Sequence, residues 1–549
     1  MAIIAFSKKQ FEKDIGKIDE KMQNKIALFG TPVENVTSDE IQIEVFPNRP
    51  DMLSYQGFKR GFLAYLGKKT GLKNYKLNSP EKDYIVKVDS SVSKIRPYTV
   101  CAVVKELKFD NEKIKEIIEI QEKIHFTLGR KRKKLAIGIY PLEKIKFPIT
   151  YKALKPAEIR FVPLESEKEM NGLEILKNHP TGKEYAHLLK GMEKFPVFID
   201  AENKILSMPP IINSAETGRI TEETRDVFIE CSGFELNILK KCINIISTCL
   251  CDMGGKIYQM EIFYNGKKQI TPDLKPEEMK ISLENTNKFL GVDLSEKEIK
   301  KLFELMGHEY KSSSVKIPAW RTDIMHEVDL IEDVAIAYGY DKFVPEIPEI
   351  STIGEESPRE KIKRKFSEIL TGLGSLEVCN YHLTNKENQF GKMKTQEEGA
   401  IKVTDSKTEY NMLRKNLSHF IMKIFSENID VEYPQKIFEI GRVFSEDEKS
   451  NPVESESLSI GISPGNFTDI RQVVENFFES LGIEIELKET EKFPVWFISG
   501  RVAEVHIGKK SLGFLGEIHP SILRNWKIKM PVGLLEINLE EIFEVLEGK

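Results

Sequence analysis

The segment Pro345 to Pro358 constrains this chain more than any other. It is rich in Pro, Ser and Glu and reads as a linker. A strong helix start closes it, with Ser357 as N-cap, Pro358 at the first helical position and Glu360 at the third. The sequence has 549 residues, and at roughly 100–200 residues per domain that length predicts about three to five domains. The pattern suggests four regions: 1–84, 85–268, 269–347 and 348–549.

Composition enters by exclusion. With 40% hydrophobic and 30% charged residues the chain is ordinary for a globular protein, so disorder, collagen and coiled coil are excluded as the main state. Lys and Arg total 81 against 86 Asp and Glu, a net charge of −5. A generally basic nucleic-acid binder is excluded, but a local basic patch is not. No window approaches the roughly 18 apolar residues of a membrane span. The apolar start Ala2–Phe6 is too short for a signal-peptide core. Cys101, Cys231, Cys242, Cys249, Cys251 and Cys379 form no CxxC pair with a partner pair, so the reducing cytoplasm is the default location.

Each region carries its own pattern. In the first, Ser7 and Gln10 open a helix bearing Phe11 and Ile15, and Glu40–Phe46 alternates as a strand. A second helix carries Leu53, Phe58, Phe62 and Leu66. The second region mixes strand candidates (99–104, 135–139, 197–199, 227–231) with helix candidates (111–127, 233–253), hence α+β or α/β. In the third, Ser295 and Glu298 box a helix with Ile299, Leu302, Phe303 and Met306 on one face. A strand, 315–318, and a helix, 327–338, follow. The fourth region begins with a helix carrying Ile362, Phe366, Ile369 and Leu370, and then reads mostly as strands. It includes a hairpin through Gly508-Lys509-Lys510 and a final helix, 539–546. The fold class expected is multidomain α+β, ending in an antiparallel sheet with helices on one face.

Three constellations could carry chemistry. Asp329, Glu332 and Asp333 share a helical face, and Asp323 precedes that helix. An all-oxygen set of this kind suits Mg²⁺; a solvated acidic face is the plainer alternative. Arg130, Lys131, Arg132, Lys133 and Lys134 are consecutive cations that would meet a phosphate backbone without reading its sequence, or form a solvated loop. Pro209 and Pro210 stiffen a loop beside Ser207, Asn213, Ser214 and Thr217, and Glu230 and Ser232 share one strand face. That is a polar pocket for a small ligand, or turn chemistry beside an edge strand. An acid on an otherwise apolar strand is costly to bury without a partner. No GxxxxGK[ST], HExxH or GxSxG motif is present, and the nine His show no ligand spacing.

Beyond these readings the chain resembles the β subunits of phenylalanine–tRNA ligases of the shorter archaeal and eukaryotic type, over nearly its whole length. The resemblance rests on Phe46-Pro-Asn-Arg-Pro-Asp-Met-Leu53, Leu128-Gly-Arg-Lys-Arg-Lys-Lys134, Met208-Pro-Pro-Ile-Ile-Asn-Ser214, Pro318-Ala-Trp-Arg-Thr-Asp-Ile324, Asp329-Leu-Ile-Glu-Asp-Val-Ala335, Phe438-Glu-Ile-Gly-Arg-Val-Phe444 and Leu515-Gly-Glu-Ile-His-Pro520. It implies that Asp323, Asp329, Glu332 and Asp333 ligate Mg²⁺ near an α subunit, with Asp333 where the family carries Glu. It implies that 85–268 is an editing domain hydrolysing tyrosine wrongly joined to tRNA(Phe). Phe198, Ser207, Asn213, Ser214, Glu230 and Ser232 would then line the pocket, Glu230 reading the hydroxyl and Ser207 and Ser232 placing water. Archaeal members carry Asp and Thr at the Glu230 and Ser232 positions. It implies that Arg130–Lys134 approach tRNA, and that 348–549 is a class II synthetase-like module.

Within that module, Leu413-Arg414 and Phe438–Phe444 outline one ATP motif, but the glycine-rich stretch ending in arginine is absent from Pro531–Lys549. ATP would therefore be bound on the α subunit, in an (αβ)₂ heterotetramer with tRNA(Phe). A ligase-derived RNA-binding scaffold without editing, and a stand-alone Mg²⁺-dependent hydrolase centred on 323–333, are the alternatives.

Overall fold

A computed structural model describes residues 2–351, 353–404 and 406–548. Thr352, within the linker, and Lys549, at the end of the stretch lacking an ATP motif, lie outside them. The chain divides into two compact units, Met1–Ile347 and Pro348–Lys549. Among the described residues no helix is long and apolar enough to cross a membrane.

The first unit opens with a three-stranded antiparallel sheet in which Glu40–Val45 lies between Ala2–Ser7 and Val33–Val36. Its period-two pattern buries Ile41, Ile43 and Val45. The apolar start is thus an edge strand of this sheet. Phe6, Phe11, Phe29, Phe58 and Phe62 gather beneath it.

Two larger sheets follow. A five-stranded sheet runs in the order Leu77–Asn78, Lys256–Tyr258, Tyr98–Lys105, Val227–Gly233, Leu135–Pro141. A seven-stranded mixed sheet runs Ile212–Asn213, Ile205–Met208, Phe195–Ile199, Ile149–Leu154, Ile85–Val88, Met260–Tyr264, Lys267–Thr271. Val227–Gly233 is antiparallel to both of its neighbours, and every residue of it is buried. A strand buried on both faces reads as a near-continuous apolar run, which makes its Glu230 an exception that needs explaining.

The predicted boundary at residue 84 is not a seam in the packing. Leu77–Asn78 adds a strand beside Lys256–Tyr258, and one hydrophobic core runs from Ile4 through Val103 and Ile262 to Met306 and Trp320. A segment of that length buries little surface alone and gains by sharing a core. Residues 277–338 add a three-stranded sheet with a core of their own, including Ile299, Phe303, Val315, Leu330 and Val334. The Ser295–Glu298 capping box forms in both directions, and the helix Glu327–Tyr338 has the predicted ends.

The second unit is built on a seven-stranded sheet in the order Leu376–Glu377, Gln435–Glu446, Pro452–Ser463, Gly533–Asn538, Lys510–Ile518, Phe497–Ile507, Glu486–Lys488. All its pairings are antiparallel except the first. Two corrections follow. The tail holds helices at Ser418–Glu427 and Phe467–Ser480 that a mostly stranded reading missed. Apolar clusters also cover both faces of the sheet. Phe438, Leu535 and Ile537 meet Phe366, Val474 and Phe477 on one face. Ile437 and Leu534 meet Ile421, Phe425 and Trp526 on the other. Adjacent residues on a strand point oppositely, so each strand feeds both clusters.

Candidate active-site cleft

A cleft of about 550 Å³ opens in the first unit between the helix Asn111–Phe126, the strand Leu135–Pro141 and the loop from Pro209 to Ile220. Glu122, His125, Arg132, Tyr185, Asn213 and Glu230 are on its lining. Glu230 reaches it because Val227–Gly233 is a middle strand whose register sets Glu230 opposite Gly138 and Cys101. Gly138 leaves the necessary room. A Cβ there would stand 2.1 Å from the Tyr140 hydroxyl and 2.8 Å from Glu230 Oε1, too close for either to stay.

The Tyr140 hydroxyl donates to Ser207 Oγ at 2.8 Å. It also lies 3.3 Å from Glu230 Oε1 and 3.4 Å from Asn213 Oδ1. Glu230 is 2% exposed, and its Oε2 has no partner among the described residues. Burial pushes its carboxyl up to about 8, against the opposing pull of Arg96, so the acid is neutral near pH 7.

The other expected pocket residues stand differently. Phe198 is buried and stacks on Tyr151 with centroids 4.4 Å apart. Ser214 caps the short helix Ala215–Gly218 by accepting from Glu216 N. Arg96 donates to Ser232 Oγ at 3.2 Å and to the Ser232 carbonyl at 2.8 Å. Ser207 and Ser232, the two expected to place a water, are buried and off the lining, and their hydroxyl oxygens accept from Tyr140 and Arg96. Glu230 and Asn213 are the two of the six that line the cleft, and Tyr140 joins Ser207 to them.

The sequence reading missed Tyr140, Arg96 and His125. A glycine inside a strand two residues before a tyrosine was the available sign that something approaches closely there. His125 Nε2 accepts from Ile137 N at 2.8 Å, which places the ring proton on Nδ1, 3.3 Å from Glu122 Oε1. Burial lowers its pKa, so it is a neutral strut rather than a base.

The basic run is corrected as well, because it is not a uniform cationic surface. Arg130, Lys131 and Arg132 take left-handed backbone angles in succession, with φ of 46°, 53° and 63°. This turns Arg132 inward. It donates to the Ile211 carbonyl and to Glu122, each at 2.8 Å, and lies 4.4 Å over the Tyr185 ring. Lys134 faces Glu235 at 3.4 Å, while Arg130, Lys131 and Lys133 are exposed.

The acidic set does not converge on a cation either. Arg321 forms a two-bonded pair with Asp323 at 2.8 and 2.7 Å and contacts Asp333 at 2.9 and 3.1 Å. His308 Nε2 meets the same Asp333 at 2.6 Å. Asp333 is 3% exposed. Burial alone would push its carboxyl up, and Arg321 with His308 holds it well below the usual range. Asp329 accepts from the amides of Met325 and His326 at the helix start. Glu332 is exposed, its pKa raised by partial burial and by Asp333, Asp323 and Asp329. Among the described residues no group of three or more His, Cys, Asp or Glu is arranged to hold a metal ion. Arg321, two residues from Asp323 and twelve from Asp333, supplies the positive charge that these two carboxylates require, so the four acids as folded do not fit a Mg²⁺ site.

In the second unit the arginine of the outlined ATP motif is also occupied. Arg414 is buried, pairs with Glu439 at 2.5 Å and donates to the Arg442 carbonyl at 2.7 Å.

Comparison with known proteins joins these pieces. Residues 83–245 match the family described as the B3/4 domain, 279–340 the tRNA synthetase B5 domain, and 344–539 the phenylalanyl tRNA synthetase β chain CLM domain. The chain is 36% identical to the phenylalanine–tRNA ligase β subunit of Archaeoglobus fulgidus, across 100% of both chains. It is 38% identical to that of Thermococcus sibiricus, across 90% of each. The chain belongs to the phenylalanine–tRNA ligase β-subunit family. Its fold is also similar to an N-terminal fragment of the Pyrococcus horikoshii phenylalanyl-tRNA synthetase β subunit, with a TM-score of 0.59 and 38% identity. That likeness covers 61% of this chain and 99% of the fragment. As a ligase β subunit, the chain carries its cleft within the B3/4 match, the Arg321 network within the B5 match and the Arg414–Glu439 pair within the CLM match.

Proposed function

We propose that this β subunit pairs with an α subunit in an (αβ)₂ heterotetramer that joins phenylalanine to tRNA(Phe) in the cytoplasm, and that its cleft hydrolyses tyrosine wrongly joined to the same tRNA. Family membership supports the part in phenylalanyl-tRNA synthesis. One observation carries the editing reading: a buried neutral acid, Glu230, on the lining of a 550 Å³ cleft, with one carboxyl oxygen unpartnered. A pocket selecting phenylalanine against tyrosine separates two acids differing by one hydroxyl, and a second site that welcomes the hydroxyl removes the errors. In the hydrolysis, water adds to the ester carbonyl and the bond to the ribose oxygen breaks, releasing tyrosine and tRNA. Glu230 reads the phenol, Asn213 borders it, and Arg132 holds the Pro209–Ile211 wall. The exposed Arg130, Lys131 and Lys133 meet tRNA phosphates. ATP is used on the α subunit, with Mg²⁺ accompanying it; Arg321 already neutralises Asp323 and Asp333, so no step is assigned to a metal on this chain.

The test is clearance of tyrosyl-tRNA(Phe) by the assembled complex. Glu230→Ala should slow it at least about tenfold while phenylalanine charging continues. Equal deacylation by variant and wild type would remove the assignment. A ligase-derived scaffold without editing is the second reading, favoured by the burial of Ser207 and Ser232. It requires that the wild-type complex clear no tyrosyl-tRNA.

A further inference from the structure

At the inner end of the cleft the polar atoms are not free to turn. The Tyr140 hydroxyl has one proton and three neighbouring oxygens, at 2.8 Å on Ser207, 3.3 Å on Glu230 and 3.4 Å on Asn213. Ser207, the nearest, takes the proton. The neutral Glu230 acid can then give its own proton, through Oε1, to the Tyr140 oxygen. Its other oxygen, Oε2, remains as a carbonyl-type acceptor with no partner among the described residues. The tyrosine is itself fixed. It is fully buried, its ring stacks on Phe228 at 5.7 Å, and it reaches Glu230 across the space that Gly138 leaves.

We propose that Tyr140 is a positioning residue that sets the specificity of this cleft: by engaging Glu230 Oε1 it leaves the buried Oε2 as the acceptor that separates a phenol-bearing acyl group from a plain benzyl one. This rests on reading the cleft as the ester-hydrolysing site. A tyrosyl group supplies an O–H to the unpartnered oxygen, and a phenylalanyl group leaves it unpaired, which disfavours that complex by about tenfold. Asn213 also lines the cleft, with its Oδ1 3.4 Å from the Tyr140 hydroxyl. Arg96 is no competitor for Oε2, since its hydrogen bonds go to Ser232.

The experiment uses the assembled αβ complex and two probes, the hydrolysis-resistant 3′-amide analogues of tyrosyl-adenosine and phenylalanyl-adenosine, with binding measured by calorimetry. The wild type is expected to favour the tyrosyl probe by about tenfold. Tyr140→Phe keeps the ring and loses the oxygen. It should bring the preference close to one and raise KM for tyrosyl-tRNA with little change in kcat. Glu230→Gln offers an amide N–H to Tyr140 and a carbonyl to the ligand, so it should retain the preference, and adding Tyr140→Phe to it should abolish the preference again. Ser207→Ala is a second route that leaves the ring packing alone. It returns the Tyr140 proton to Glu230 and should weaken the preference. A Tyr140→Phe complex that keeps the preference, or a wild type that has none, overturns the proposal. Loss of preference in Tyr140→Phe, in a system where even the wild type deacylates nothing, upholds the positioning role and removes the hydrolytic reading instead.

Discussion

Glu230 and Asp333 are both buried carboxyl groups, and their surroundings give them opposite states. Glu230 stands on a central strand among Cys101, Tyr140, Tyr151 and Ser232, with Arg96 acting on it from a distance but bonded elsewhere. It stays protonated, with its carboxyl pushed up to about 8. Asp333 stands on a helix with Arg321 at 2.9 Å and His308 at 2.6 Å, and it stays ionised. Burial alone therefore does not decide the charge. A cation within direct contact does, because its attraction in a poorly solvated site outweighs the lost hydration only at short range. The neutral acid is suited to reading a ligand, since its unpartnered oxygen is unsatisfied until something arrives. The ionised one is suited to holding elements together.

Removing the cation is the harshest way to break this contrast. Arg321→Met leaves Asp323 and Asp333 without the guanidinium that pairs with both. Truncating one partner of a buried pair costs about 3–5 kcal/mol, so the first unit should melt well below wild type in thermal unfolding. The pH dependence has a definite sign. The Asp333 pKa is depressed in the folded state, so its contribution is fully present above the unfolded value of 3.8 and is lost as pH falls through the folded one. The stability gap between wild type and Arg321→Met should hold at neutral pH and narrow in strong acid. A variant with wild-type melting would mean that Asp333 is neutral too, and the contrast would disappear.

The neutral acid gives the opposite sign. The folded pKa of Glu230 is raised from 4.5 to about 8, so the unfolded chain ionises first and stability falls as pH rises across that window. Glu230→Gln removes the titration. It should stabilise the first unit by on the order of 1–3 kcal/mol at pH 8 and by much less at pH 5, read as the difference in melting temperature at the two values. A gain that does not grow with pH would show that Glu230 is ionised in the native state.

Much of this architecture was legible in the residues, because the signals were local. The Glu327–Tyr338 helix, the Ser295–Glu298 box and the 501–515 hairpin each announce themselves within a few residues. The Phe467–Ser480 helix was also legible. Asn466 and Asp469 form a capping box, and Ile470, Val474, Phe477 and Phe478 repeat at helical spacing, yet the stranded flanks drew the reading away. What could not be read is the pairing of distant side chains. The Asp329–Asp333 face predicts repulsion, but only the fold brings Arg321 and His308 to it. Glu230 could be recognised as anomalous on an apolar strand, whereas Tyr140 approaching it over Gly138 depends on strand register. Ser207 and Ser232 have hydroxyls suited to the role, and their partners Tyr140 and Arg96 were invisible from the sequence.

The same distinction between partnered and unpartnered charge separates the cations of the 130–134 turn, and it yields the smallest effect. Arg132 is spent on the Ile211 carbonyl and Glu122, so it belongs to the cleft wall. Lys131 and Lys133 are exposed; Lys131 lies 5.7 Å over the Phe126 ring, and among the described residues neither lysine meets a carboxylate. Substituting both with Ala should leave stability within about 0.5 kcal/mol. If these lysines meet tRNA phosphates, each contact releases a counterion. The slope of log affinity against log salt for tRNA(Phe) binding by the complex should then become shallower by about 0.7–0.9 per lysine lost. Arg132→Ala should behave the other way, lowering the melting temperature and tyrosyl-tRNA clearance while leaving the salt slope nearly alone. An unchanged slope in the double lysine variant would return this turn to a solvated loop. A changed slope in Arg132→Ala would mean that the guanidinium leaves Ile211 and Glu122 when RNA binds.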